Sequence, residues 1–204
     1  MNFPDVLFGP KAGLIRACVV FLVAASLSAC AGKANNDTYG LSASPVVEGP
    51  ASTSKQILVP EPTALKALDS DQVVIRLSGS EIQYLADSQW SDRLPKMVQS
   101  KLVQAFENTG KIGGVGKPGE GLAIDYQVIT DIRSFEISTD GADTAIVEIF
   151  AKIVNDRNGT VRAQKAFRAT MPVSGSGHPA FVAALDRAFA DVSADIVGWT
   201  LKAI

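Results

Sequence analysis

This chain has little of what catalytic and cofactor sites are usually built from. Its 204 residues hold two cysteines and a single histidine. A lone histidine supplies neither a partnered base for a nucleophile nor the three or four ligands that zinc takes. Positive charge is not in excess either: 19 Lys and Arg stand against 21 Asp and Glu, so the electrostatic footprint of a nucleic-acid binder is missing. Aromatic residues are sparse, at 7%. The apolar stretch near the start is bounded by Arg16 and Lys33 and falls short of the roughly 20 residues that a membrane-spanning helix needs.

What is present begins with that stretch. Lys11 and Arg16 form a positive start, Ala17 to Ser26 a short apolar run, and Ser28 and Ala29 a small-residue ending. The order is that of a secretory signal peptide, residues 1–29. An ordinary cleavage site needs no cysteine, yet Leu27-Ser28-Ala29-Cys30 resembles the bacterial lipobox. By that resemblance Cys30 becomes residue one of the mature chain and carries a diacylglyceryl thioether plus an N-acyl (palmitate) group. Each buried methylene adds about 0.8 kcal/mol, and more than one chain makes membrane binding stable. Ala31, where an Asp would favour inner-membrane retention in the well-studied sorting system, points by analogy to the outer membrane, with the domain facing the periplasm. Cys18 leaves with the signal and Cys30 is spent on lipid, so the mature chain has no thiol for a disulfide or a metal.

Residues 30–204 suffice for one compact domain and are too few for two. From Cys30 to Lys55 the composition turns to Ala, Ser, Gly, Asn, Thr and Pro, a tether and loop. Within it "TYGL" has strand character, and pairing of Tyr39 to Leu41 at a sheet edge leaves residues 31–38 as tether, with a reach of roughly 25 to 30 Å. The single α+β domain, 56–204, then opens with three strands: one in "QILVPEP", then Val73–Leu77 and Glu81–Leu85 about a Ser78-Gly79-Ser80 turn. Trp90, Leu94, Met97, Val98, Leu102, Ala105 and Phe106 recur at spacings of three and four, which predicts an amphipathic helix starting or kinking near Pro95 and stopping at Gly110. Leu122, Ile124, Tyr126 and Val128 alternate with polar or small residues as in a half-buried strand. Asp140-Gly141 and Asn158-Gly159 mark two hairpins, so three antiparallel strands follow in order. Pro179 and the stripe Phe181, Leu185, Phe189, Val192, Ile196 and Trp199 predict a C-terminal helix covering the sheet. The fold class is therefore α+β, an antiparallel sheet with two main amphipathic helices.

Several features imitate chemistry without supporting it. Gly114 to Gly119, "GVGKPG", spells the dinucleotide fingerprint, but a helix precedes it, Pro118 interrupts it and a strand follows, the reverse of the required context. A connector is expected. His178 stands beside Pro179 at a helix start and has no partner in sequence. Asp125 and Asp131 share one predicted strand face about 20 Å apart, too far for paired acid and base work. Asn158-Gly159-Thr160 fits a glycosylation pattern but is needed as a turn. Tyr84 and Trp90 flank the strand-to-helix junction and are the candidate partner-binding residues, with core packing the plainer reading for Trp90. No catalytic, metal or cofactor residue is assigned, and an enzyme is not expected.

Taken together, the lipobox, "YGL", "ILVPEP" and "VVIRLSGSEIQYLADSQWSDRLPKMVQSKLVQAFENTG" resemble the ABC-type transport auxiliary lipoprotein family, which accompanies MCE lipid transport systems. Tyr84, Trp90, Asp92, Leu94 and Pro95 match its pattern of a strand ending near Tyr followed by Trp, an acid and Leu-Pro at a helix start. The resemblance implies a small α+β domain and a periplasmic accessory role in moving phospholipid or sterol-like lipid. An MCE protein and an ABC permease and ATPase would do the carrying. An envelope-assembly adaptor, for lipopolysaccharide export or peptidoglycan synthesis, is the alternative that neighbouring genes would separate. A hydrolase is disfavoured by the missing catalytic set.

Replacing Cys30 by Ser removes the acyl acceptor, and the precursor should then be neither acylated nor cut at this site. Mass spectrometry of the mature N-terminus checks it, and a wild-type chain with unmodified Cys30 would overturn the lipoprotein reading.

Overall fold

The computed structural model describes residues 36–42, 47 and 53–204. The signal peptide, Cys30 and most of the tether lie outside the described residues. Nine strands and two helices follow in the order β1 (Asp37–Tyr39), β2 (Gln56–Leu58), β3 (Thr63–Ala64), β4 (Gln72–Arg76), β5 (Ile82–Trp90), α1 (Leu94–Asn108), β6 (Gly114–Gly116), β7 (Tyr126–Ser138), β8 (Thr144–Asn155), β9 (Val161–Pro172) and α2 (His178–Ala203).

The expected α+β class holds, with the second helix C-terminal, but the sheet is mixed. β7, β8 and β9 are joined by hairpins and pair antiparallel. Gly141 and Gly159 take φ of +99° and +70°, the left-handed backbone their turns need. β2, β3 and β4 all pair parallel to β7. Between β4 and β7 the chain passes through α1, and a crossover helix returns the chain to the same end of the sheet, so a parallel partner results. β5 pairs antiparallel to β4, and β1 lies parallel to β5 at the edge.

Local sequence accounts for the helices. α1 has Pro in its first turn, where its missing N–H costs nothing, and the Leu94 N–H instead donates to the Ser70 carbonyl at 2.9 Å. Its buried stripe is Leu94, Met97, Val98, Leu102, Ala105 and Phe106, and Gly110 follows with φ +61°. α2 buries Leu185, Phe189, Val192 and Ile196, while Phe181 and Trp199 are half-buried. Both helices add to a core faced by Val128, Ile132, Phe135 and Ile137 of β7 and by Ala145, Val147, Ile149, Ala151 and Ile153 of β8.

Four expectations need correction. The run from Leu122 to Val128 is not one strand: β7 begins at Tyr126, and Leu122 is 38% exposed. The segment 122–124 has the alternation of a strand but no partner to pair with among the described residues, while Asp125 bonds through its backbone to Gln56 and Asp156. The glycine-rich connector contains β6, paired with β2. Glycine serves close approach there, since a Cβ on Gly113 would lie 2.5 Å from the Ser54 carbonyl oxygen. The third predicted strand runs on from Leu85 to Trp90, past a register shift at which Val74 faces Tyr84 and Gln72 faces Gln89. Asp87, at φ +49°, absorbs that bulge, one of the few non-glycine residues that tolerate it. Finally, β1 spans Asp37 to Tyr39 rather than Tyr39 to Leu41, so it takes in residues expected to be tether, and Leu41 is buried beyond it.

Trp90 is 2% exposed and meets Phe135 edge-on, ring centroids 5.7 Å apart at 87°, and Phe135 in turn meets Phe189 at 5.9 Å. This aromatic chain ties β5, β7 and α2 together. Trp90→Ala should therefore lower unfolding free energy by about 3 to 5 kcal/mol. A denaturant titration measures it, and a loss under 1 kcal/mol would mean the Trp90 contact is dispensable.

Candidate functional site

The structure separates the two residues singled out from the sequence. Trp90 belongs to the core, so its side chain presents no surface to a partner. Tyr84 is 45% exposed. Register places it beside Val74, and Val74 beside Glu136, on the sheet face opposite the helices. Ile82, 37% exposed, sits two residues away on that same face, opposite Arg76. Sequence reasoning missed Ile82, although its i, i+2 spacing from Tyr84 on a strand was legible.

Beside this apolar pair lies a charge-assisted fork. Arg76 donates from Nε and Nη2 to the two Glu136 carboxylate oxygens at 2.7 and 2.8 Å, and Glu136 is 5% exposed. The hydrogen bonds to Glu136 raise the Arg76 pKa above its usual value, partial burial opposing them. The patch is thus two exposed side chains on β5, next to a strand, β4, that the half-buried Arg76–Glu136 pair joins to β7.

The remaining candidates are structural. Ser88 Oγ and His178 Nδ1 are hydrogen-bonded at 2.9 Å, and with Ser88 4% exposed the pair ties β5 to the start of α2. Asp131 accepts from Thr63 Oγ1 at 2.8 Å, which secures β3 on β7. Asp125 precedes β7 instead of lying in it, and it accepts from the Gln56 backbone N–H at 3.1 Å and from Arg157 Nη2 at 3.1 Å, with Lys55 Nζ 3.8 Å away. A cleft of about 540 Å³ between Gly40 and α1 is rimmed by Lys96, Lys101, Lys117 and Glu61, and Lys96 pairs with Asp92 at 2.7 Å. Among the described residues no group of three His, Cys, Asp or Glu side chains could hold a metal ion. No described helix is long and apolar enough to cross a membrane.

The Gln56 N–H, reinforced by Lys55 and Arg157, holds the Asp125 carboxyl below its ordinary value of 3.8 against the opposing effect of desolvation. A carboxyl whose pKa falls on folding stabilises the fold above its unfolded pKa and loses that contribution as pH falls through the folded one. Wild type should accordingly lose more stability than Asp125→Asn as pH drops below about 4. Thermal melts of both chains from pH 6 to pH 2.5 test this, and parallel curves would remove Asp125 from the account.

The family model for the ABC-type transport auxiliary lipoprotein component matches residues 39–197, from the end of β1 to near the end of α2. The uncharacterized protein bll6063 of Bradyrhizobium diazoefficiens is 34% identical over 158 residues, covering 76% of this chain and 42% of that protein. This chain therefore spans about two-fifths of that relative's length. Among solved structures, protein XCC0632 from Xanthomonas campestris superposes with a TM-score of 0.77 at 29% identity, over 82% of this chain and 95% of that one. A second crystal structure, of an uncharacterized protein, gives 0.64 at 16% identity over 80% and 97%, a likeness of fold alone. A match from β1 into the last turns of α2 makes this chain a member of the ABC-type transport auxiliary lipoprotein component family.

Proposed function

We propose that this chain is the accessory, docking lipoprotein of an MCE-type ABC system that moves phospholipid or sterol-like lipid between envelope membranes. The family match over residues 39–197 carries the reading. Cys30 in its lipobox is the anchor, on the periplasmic side of the envelope, and Ala31 favours the outer membrane. The MCE protein, permease and ATPase supply the transport chemistry. This chain is asked for position: the anchor holds the domain at a leaflet, and a protein contact gathers the transporter there, which raises its effective concentration without any bond being made or broken.

Tyr84 and Ile82 are the contact face of this reading. Their exposure, on a strand paired with β4, which the Arg76–Glu136 fork joins to β7, supports them, because exposed apolar side chains held rigidly suit an interface better than mobile ones.

Two variants test the two halves separately. A periplasmic domain lacking Cys30 should still bind the MCE protein yet fail to restore envelope integrity in a deletion strain. Tyr84→Ala in the lipidated chain should localise normally and weaken binding by about 1 kcal/mol or more with little change in stability. Full complementation by the unlipidated domain would rule out the positional role, and normal binding by the Tyr84 variant would rule out the face.

A further inference from the structure

The sheet ends on its far side in β9, twelve residues long and paired only with β8 among the described residues. The phase of that pairing is fixed at its end, where the Val173 N–H donates to the Asp143 carbonyl at 3.0 Å while Pro172 faces Thr144. In an antiparallel ladder bonded and non-bonded pairs alternate, so the amides of Gln164, Ala166, Arg168 and Thr170 point away from β8. Pro172 sits in the same phase, where its missing N–H takes nothing from the ladder. A row of unmatched backbone groups is a template for another strand.

Two further observations say what kind of strand. A cavity of about 420 Å³ lies between β9 and the last turns of α2. Its aromatic floor is Phe167 and Trp199, 5.3 Å apart and edge-on, and Val47 forms part of its wall. Phe167 is on the helix side of β9, so alternate side chains of an added strand would enter this cavity. Lys165 and Lys202 line it against one acid, Asp195. β9 itself carries Arg162, Lys165 and Arg168 and no carboxylate. Arg168 is engaged by Glu148 at 2.8 Å and Arg162 donates to the Ala203 carbonyl, while Lys165 is exposed and lies 4.9 Å above the Phe167 ring. Two copies of β9 paired antiparallel would oppose like charges, which selects against self-association.

We propose that the outer edge of β9 binds an extended, acidic segment of a partner protein by strand addition, seating apolar side chains in the α2–β9 cavity. The main chain supplies the bonds and the cavity the selectivity. This site is separate from the Tyr84 face and does not depend on the identity of the transporter. It also lies opposite the anchored edge: β1 and β9 are five strand spacings apart along β1-β5-β4-β7-β8-β9, about 24 Å.

The test uses the full lipidated chain in detergent and a fluorescent peptide about ten residues long that alternates valine and glutamate, with lysine replacing glutamate in the control. The acidic peptide should bind at least about tenfold more tightly than the basic one, and its binding should slow amide exchange at Gln164, Ala166, Arg168 and Thr170. Ala166→Pro removes one outward N–H and should weaken binding about tenfold or more. Should that variant fail to fold, Gln164→Glu with Arg168→Glu, both exposed and on the sheet face that the glutamates take, should do the same. Equal affinity for both peptides, no binding of the acidic one, unchanged binding in the variants, exchange protection elsewhere, or dimerisation through β9 would each overturn the proposal.

Discussion

The fold depends on the need of β7 to be satisfied along two edges and one face. It is thirteen residues long, and β8 pairs with it from Tyr126 to Ser138, so one edge is closed by a single hairpin. The other edge is closed piecemeal. β2 takes its first residues, β3 its middle and β4 its end. Between β3 and β4 the chain leaves the edge, inserts Leu68 into the core, and offers the Ser70 and Asp71 carbonyls to the N–H groups of Leu94 and Trp90. The start of α1 and the end of β5 are thereby set by the connection between β3 and β4. Trp90 then reaches Phe135, and the helices close the face that β7 presents.

On the opposite face the same strand holds Glu136, whose burial is tolerable only because Arg76 meets it with two hydrogen bonds. Removing Arg76 would leave the Glu136 charge buried and uncompensated, a far larger loss than the net worth of the pair. The fork also joins β4 to β7 across a parallel contact of three residue pairs, the shortest stretch on which the β4–β5 hairpin depends. Exposure of Tyr84 and Ile82 on that hairpin is thus compatible with a fixed backbone.

Local signals in the sequence were sufficient wherever the structure is local. Asp140-Gly141 and Asn158-Gly159 marked the hairpins because each five-residue connection needs a residue at positive φ, which Gly141 and Gly159 supply, and the stripes of α1 and α2 specified burial because a helix satisfies its backbone internally. What escaped was non-local. β3 is two residues, β6 is Gly-Val-Gly, and each exists only because a distant strand edge is there to receive it. Leu122 shows the converse, an alternating pattern without a partner. The same limit applies to the contact surface: Tyr84 and Trp90 look alike in sequence, and only the bulge at Asp87 turns one outward and the other into the core.

A small contact face is consistent with an anchored role on energetic grounds. A free pair of proteins needs an interface of about 1,600 Å² to hold together at low concentration. A domain proposed to hang from Cys30 by residues 31–36 can reach no more than about 20 to 25 Å from its lipid before β1 begins. Confinement on that scale raises the local concentration of anything held at the same membrane to roughly the millimolar range, so weak contacts suffice when both parties are present and release when either leaves. A pair of apolar side chains on a rigid strand matches that requirement. The edge of β9, which pairs with nothing but β8 among the described residues, does not compete with it, because β9 and β1 lie at opposite ends of the strand path β1-β5-β4-β7-β8-β9.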